Sequence, residues 1–294
     1  MTSDEKLEVC KKTRKIAADT LVVSLEQLLK SDQSISEVNL RDRWLEEMRK
    51  NTNIFSDGWY SAPPYGITIL FASRNNPKRA DFVNLRPEQY WPKEDIFLDK
   101  DEGYAYLFSS PVNRKTGFAG DFAINIYLGN DSKTKKHLKT SLEIDKQIFE
   151  FIKVGMTFSE IFQFADNLFR KNGLRNNIVS ITDPGGVNIG HTIPAVYEGW
   201  SIEELESLNN AGKNWSKFKN NLSKKRRFLS IRDNLKVEPK MAFTIEPALK
   251  MISEETIPMT MFHHTTLIKE NGQKELLTNF DEIFRLIGMN YMLE

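Results

Sequence analysis

Cysteine is nearly absent from this sequence: Cys10 is the one thiol in 294 residues, so neither an intrachain disulfide nor a thiolate metal cluster can form. It lies in a helical pattern and reads as a small, half-buried apolar residue rather than a nucleophile. Histidine is also scarce, with four copies at His137, His191, His263 and His264. Neither sign of charge dominates, since 41 Lys and Arg against 40 Asp and Glu leave a net charge of +1. That balance gives no footprint for nucleic acid or an anionic membrane. No apolar run approaches membrane length, and the opening MTSDEKLEVCKK has no apolar signal core, so the expected location is the cytoplasm. One basic run exists, Lys224-Lys225-Arg226-Arg227. It reads as a solvated loop or helix face ahead of a phosphate or acidic-partner site.

What is present is an ordinary globular composition, 40% apolar and 28% charged, in a chain long enough to bury a core without staples. Apolar positions recur at helical spacing over 4–30 (Leu7, Cys10, Ile16, Ala17, Leu21, Leu25, Leu28), and again over 34–50, where Ser34 or Ser36 can cap. The spacing then predicts strands at 67–72, 95–99 and 121–128, with 104–120 as an extended hairpin between the last two. Helices follow at 135–152 and 158–171, the latter stopped by Gly173. Further strands are expected at 177–181, 241–245 and 259–267, a Gly-rich bend at 183–186, and a terminal helix near 280–287. The stretch 200–235 is polar and helical at best. Helix pairs alternating with antiparallel strands in both halves point to an α+β fold rather than a doubly wound sheet.

One carboxylate stands out. Glu246 interrupts the apolar word Met241-Ala-Phe-Thr-Ile-Glu-Pro-Ala-Leu249, and a carboxylate buried there needs a cation, a donor or a proton. Asp99 ends one expected strand and Asp121 begins another. With His191 and His263 these make a set of oxygen and imidazole donors suited to Mn, Fe, Co or Zn. Each alone also reads as a strand-end cap or a core histidine. His264 is expected to face away from His263 as a surface residue or one behind the ligands. His137 is expected in solvent, and Glu143 and Asp145 read as ordinary helix-face charges. Trp59, Tyr60 and Trp91 read as core or lid packing.

The ordered set of local words resembles the catalytic domain of the pita-bread metallopeptidases, the group of methionine aminopeptidase, aminopeptidase P, prolidase and creatinase. The words are Arg86-Pro-Glu-Gln-Tyr-Trp-Pro-Lys-Glu-Asp-Ile-Phe-Leu-Asp99, Gly117-Phe-Ala-Gly-Asp121, Asn188-Ile-Gly-His-Thr-Ile193, the Glu246 word, and His263-His-Thr-Thr-Leu-Ile-Lys-Glu-Asn-Gly272. The resemblance implies one domain over 1–294 with two pseudo-symmetric halves of antiparallel sheet flanked by helices, an inserted hairpin near 100–120 and a polar insertion near 200–235. No separate N-terminal domain is expected, which counts against a full aminopeptidase P or creatinase architecture. It also implies Asp99, Asp121, His191 and Glu246 as metal ligands, with His263 where the family has a bridging glutamate. An imidazole nitrogen binds one metal and cannot bridge two. The expected cofactor is therefore one divalent ion in preference to two, held by Asp121, His191, Glu246 and His263, with Asp99 a weak or orphaned ligand.

Two auxiliary histidines of the family are missing, and Asp81 or Phe82 and Glu198 stand near their positions. The resulting expectation is a metal-dependent hydrolase of a peptide or small amide. Glu246 or Glu198 would accept a proton, and Asp81, Tyr104 or Tyr127 would orient the substrate. The rivals are non-haem iron chemistry on the same site and an inactive descendant that binds a peptide or protein. Expected partners are a small peptide or small-molecule substrate, with no nucleic acid and no membrane; a homodimer is compatible.

Overall fold

The computed structural model describes residues 1–60, 62–73, 75–177 and 186–293. The chain opens with α1 (Ser3–Leu29), started by a capping box in which Thr2 and Glu5 each accept from the other's backbone N–H. Its apolar face buries Leu7, Cys10, Ala17, Leu21 and Leu25. A second capping box, Ser36 with Asn39, starts α2 (Glu37–Arg49). α2 packs on α1, and the Trp44 indole donates to the Ala17 carbonyl at 3.0 Å. Next come β1 (Ile54–Phe55), β2 (Ile67–Ala72), β3 (Tyr104–Ser109), β4 (Val112–Asn113) and β5 (Phe122–Tyr127). β2, β3 and β5 form an antiparallel sheet with β3 in the middle, registered Ile69 to Leu107 to Ile124. Every residue of these three strands is buried. That explains why they read as near-continuous apolar runs instead of alternating ones.

The second half repeats the scheme. A helix pair, α3 (Ser132–Phe151) capped by Asp131 and α4 (Phe158–Lys171) with a Thr157–Glu160 capping box, leads into short strands. These are β6 (Leu174–Asn176) and β7 (Asn188–His191), then, after α5 (Ile202–Asn209) and α6 (Trp215–Lys224), β8 (Phe228–Ser230), β9 (Ala242–Ile245), β10 (Leu249–Met251), β11 (His264–Ile268) and β12 (Lys274–Leu277). The final helix is α7 (Asp281–Leu286). β9, β11 and β12 make the sheet matching β2, β3 and β5, while β7 pairs with β8 and β6 with β10. One apolar core lies between α1, α2 and the first sheet; another lies between α3, α4, β7 and β9. The halves meet where the His263 N–H donates to the Ala123 carbonyl at 3.1 Å, beside the start of β5. The α+β expectation of two helix-flanked antiparallel halves holds.

Several local expectations do not. Residues 95–99 form no strand: Phe97 makes one bridge to Ser36 and is 51% exposed, leaving Leu98 as the buried contact. A segment with one inward side chain is anchored, not sheeted. β3 is a full central strand rather than a hairpin arm. β11 starts only at His264, because the residues before it leave the ladder to bridge Ala123 and Leu249. The polar stretch 200–235 holds two helices and also β8. Of the strand expected at 177–181 all but Asn177 lies outside the described residues, as does the bend up to residue 185. Among the described residues no helix is long and apolar enough to cross a membrane.

Candidate metal centre

Four side chains come together at four strand ends, three of them around one point and Glu246 beside two of these. Asp121 immediately precedes β5, His191 closes β7, Glu246 follows β9, and His263 precedes β11. Strand β7 is pressed onto β9 by Gly190, whose φ is +152° and where a Cβ would meet the Thr244 carbonyl oxygen at 2.0 Å. This close approach lets the His191 N–H donate to Thr244 Oγ1 at 2.9 Å and the Glu246 N–H to the Ile189 carbonyl at 2.8 Å. Thr244 Oγ1 in turn donates to Glu246 Oε1 at 3.0 Å. One glycine and one threonine thus fix the imidazole and the carboxylate relative to each other.

One donor atom each of Asp121, His191 and His263 falls within 4.8 Å of the others, and all three residues are buried. His191 Nδ1 lies 2.9 Å from the Thr192 carbonyl, and a carbonyl only accepts, so Nδ1 carries the proton and Nε2 carries a lone pair. Burial lowers the His191 pKa to about 4, against the pull of Glu246, so the ring is neutral at pH 7. Its Nε2 lone pair nevertheless points among acceptors, 3.5 Å from Glu246 Oε1 and 3.7 Å from Asp121 Oδ2. His263 Nε2 sits 2.9 Å from Glu246 Oε2 yet outside hydrogen-bond geometry. Donor atoms about 2.1 Å from one ion are separated from each other by roughly 3.0–3.4 Å. The spacings of 2.9, 3.5 and 3.7 Å lie near that range, and Asp121, His191 and His263, with Glu246 beside them, could hold a divalent ion.

The charges fit as well. Burial would raise the Glu246 carboxyl, but nearby His263, then His191 and the Thr244 hydroxyl, outweigh it and hold the pKa at about 2. At Asp121 burial prevails and lifts the pKa to about 6, against His263, the Trp59 hydrogen bond and Arg226. The Trp59 indole donates to Asp121 Oδ1 at 2.6 Å, leaving Oδ2 to face His191. A carboxylate with one oxygen so engaged is poorly placed to bridge two ions. Nor does β3 supply a second acid: its cavity-facing residues are Tyr106 and Phe108.

The cluster floors a cavity of about 90 Å³ that also meets Tyr60, Arg86, Arg226 and Met261. Arg226 is 8% exposed and lies 4.5 Å over the Trp59 ring and 5.0 Å from that of Phe228. Burial lowers its pKa to about 10, with Asp121 and Glu246 opposing. Behind the site, the buried Arg14 guanidinium donates to the carbonyls of Asp121 and His263 at 2.5 Å each and of Thr278 at 2.8 Å. Neither arginine carries a sequence signal for this place. Arg226 sits in a run that reads as solvated, and Arg14 lies outside the apolar positions that mark the α1 stripe.

Other candidates lie elsewhere. Asp99 is exposed and accepts from the Asp101 and Glu102 N–H groups at 2.9 and 3.1 Å, so it caps a turn and takes no place in the cluster. Asp81 pairs with Lys250 at 2.6 Å and accepts from the Met259 N–H at 2.7 Å; it ties two loops together. Glu198 is 44% exposed and faces Lys225 at 4.0 Å, away from the cavity. The Tyr104 hydroxyl donates to the Met259 carbonyl, and that of Tyr127 accepts from Asp131 N–H, so neither orients a substrate. His137 is buried, with Nε2 3.1 Å from the Leu249 carbonyl. His264 and Asp145 are also buried, 3.4 Å apart, and burial pushes the Asp145 carboxyl well up. These three are core residues, not surface ones.

Among solved structures the chain is similar to X-Pro aminopeptidase from Thermotoga maritima, with 14% identity and a TM-score of 0.62 over 94% of this chain and 61% of that one. It is similar to prolidase from Pyrococcus furiosus, with 18% identity and a TM-score of 0.61 over 93% and 64%. The chain thus spans about three-fifths of the aminopeptidase and somewhat more of the prolidase. Methionine aminopeptidase from Rickettsia prowazekii matches with 15% identity and a TM-score of 0.60 over 95% and 98%. These likenesses show the fold, the pita-bread arrangement of two helix-flanked halves. No curated protein matches the sequence. The model of metallopeptidase family M24 matches residues 17–270, and with that span the chain belongs to metallopeptidase family M24.

Proposed function

We propose that this protein hydrolyses a peptide or small amide bond with one divalent ion held by Asp121, His191, Glu246 and His263. The observation that carries the reading is the His191 Nε2 lone pair aimed among carboxylate oxygens at 3.5 and 3.7 Å. Acceptors do not converge in a buried site without a cation or a proton between them. Bound there, a divalent ion would supply Lewis acidity, acidifying water and polarising a carbonyl. The ligand mixture of two imidazoles and two carboxylates suits Mn, Fe, Co or Zn.

The chain's own residues divide the remaining work. Glu246 stays ionised at neutral pH and has Oε1 steadied by Thr244, so it is the group placed to accept a proton. Trp59 pins Asp121, and Arg14 fixes the backbone of Asp121 and His263 from behind. Arg226 sets positive charge beside the carboxylates, where negative charge on a substrate oxygen would be stabilised. A second reading, a metal-free protein that binds peptides in the same cavity, is favoured by that same guanidinium, since Arg226 already offsets part of the carboxylate charge. An assay of unblocked dipeptides after loading with Mn, Fe, Co or Zn separates the two. Turnover that disappears in Glu246→Gln supports hydrolysis; ligand binding without turnover under every metal supports the second reading.

A further inference from the structure

Tyr106 sits in the middle of β3, opposite Asn125 of β5, and lines the cavity above Asp121, His191, Glu246 and His263. It is 1% exposed. Among the described residues its hydroxyl has one hydrogen-bond partner, the thioether of Met261 at 3.5 Å. We propose that the Tyr106 O–H donates to the oxygen of the scissile carbonyl and to the oxyanion it becomes, which makes Tyr106 a catalytic residue of this cavity. The proposal rests on the hydrolase reading for the bond that is cut; the contact between the phenol and a ligand oxygen stands without it. In the step itself a water oxygen adds to the carbonyl carbon while its proton passes to Glu246. The carbonyl electron pair moves onto the oxygen facing Tyr106, then returns to expel the amine, which takes the proton from Glu246. The phenol keeps its own proton throughout.

Three observations carry it. A thioether is a weak acceptor, so a phenol already buried away from water gains by exchanging that contact for a ligand oxygen. Two other donors beside the cluster are committed, the Trp59 indole to Asp121 Oδ1 at 2.6 Å and the His191 ring proton to the Thr192 carbonyl at 2.9 Å. Next, the phenol is held in place. Its ring lies 4.8 Å from that of Phe82, and the Met261 N–H donates to Asn125 Oδ1 at 2.6 Å. Asn125 Nδ2 donates in turn to the carbonyl of Ala105, the residue before Tyr106, at 3.3 Å. A donor fixed before the substrate arrives needs no reorganisation when negative charge develops. Finally, the hydroxyl is close to the ionisable cluster. Its neighbour Met261 lies two residues before His263, and both line the cavity. Burial first, then Glu246, Tyr60 and Asp121, hold the phenol's pKa well above its ordinary value, so at neutral pH it is an intact O–H in the field of both carboxylates.

The test compares wild type with Tyr106→Phe, which removes the hydroxyl and keeps the ring. Calorimetry measures binding of the phosphinic analogue of alanyl-alanine, whose tetrahedral oxygens stand where those of the hydrated carbonyl would, to each chain loaded in turn with Mn, Fe, Co or Zn. The variant is expected to bind it at least about thirtyfold more weakly, and to hydrolyse alanyl-alanine with kcat lowered about a hundredfold and KM within about threefold. Metal content and thermal midpoint are measured on the same samples and should not move, as they would if the phenol served packing alone. Equal phosphinate binding by both chains, no phosphinate binding by the wild type under any metal, or a weakening accompanied by loss of metal or of the thermal midpoint would overturn the assignment. A wild type that shows the phosphinate difference but hydrolyses no dipeptide would instead sink the hydrolase reading and leave Tyr106 standing as the donor to a ligand oxygen.

Discussion

His191 and Glu246 are held with a lone pair facing a carboxylate: Nε2 and Oε1 are 3.5 Å apart while the proton of the ring is committed to Thr192. The neighbours of Glu246 nevertheless favour its ionised form, His263 first and then His191 and the Thr244 hydroxyl, against the burial that opposes it. In metal-free protein at pH 7, Glu246→Gln is expected to lower stability by about 1 kcal/mol, because an amide makes weaker, uncharged contacts with the same groups. The same variant should lose tight metal binding. Urea unfolding of chelator-treated wild type and variant checks this; an apo variant more stable than wild type would contradict it.

Arg14 joins the two halves by bonding to the carbonyls of Asp121, His263 and Thr278. Arg14→Met would take this donor from two buried carbonyls and from the half-buried one of Thr278. At roughly 1–3 kcal/mol for each buried unsatisfied group, a loss of at least about 2 kcal/mol is expected in urea unfolding. Cobalt affinity of whatever folds should fall as well, since two of the proposed ligands lose their backbone anchor. A variant within about 1 kcal/mol of wild type would refute this role.

His137 predicts a pH signature. Burial lowers its pKa to about 4, partly offset by its bond to the Leu249 carbonyl, whereas the unfolded chain titrates near 6.5. Below pH 6.5 the unfolded state takes up the proton first, so this residue's contribution falls between pH 6.5 and 4 and is level below that. The loss is on the order of 3 kcal/mol. In His137→Gln, the stability difference from wild type should narrow as the pH drops from 7 to 4. Parallel curves would count against a neutral buried His137.

Asp99 and Lys250 make a contrasting pair. Asp99→Ala removes a turn cap and should cost about 1 kcal/mol or less, with metal content unchanged. Lys250→Met strands the Asp81 carboxylate, which is 18% exposed, and should cost about 3 kcal/mol. Its metal content should also be unchanged. Metal loss in Asp99→Ala would reinstate that residue as a ligand.

The helices were legible because their apolar stripes are local, and of the two caps read for 34–50, Ser34 or Ser36, Ser36 is the one that starts α2. The placement of His191, Glu246 and His263 was legible through local words at strand ends. Asp99 was misread because its word ends like a strand, yet one buried residue, Leu98, cannot make a ladder. Arg226, Trp59 and Arg14 were hidden because their roles arise only from contacts across the fold. Trp59 meets Asp121 over 62 positions and Arg14 meets His263 over 249. His137, Asp145 and His264 show the converse, polar residues whose pattern resembles a surface but whose packing buries them.

The most direct measurement is metal content per chain by plasma mass spectrometry after expression with Mn, Fe, Co or Zn, on wild type, His191→Ala and His263→Ala. One tightly held ion per wild-type chain, lost in both variants with folding retained by circular dichroism, is the expected result. Two ions per chain, or none under any metal, would contradict it.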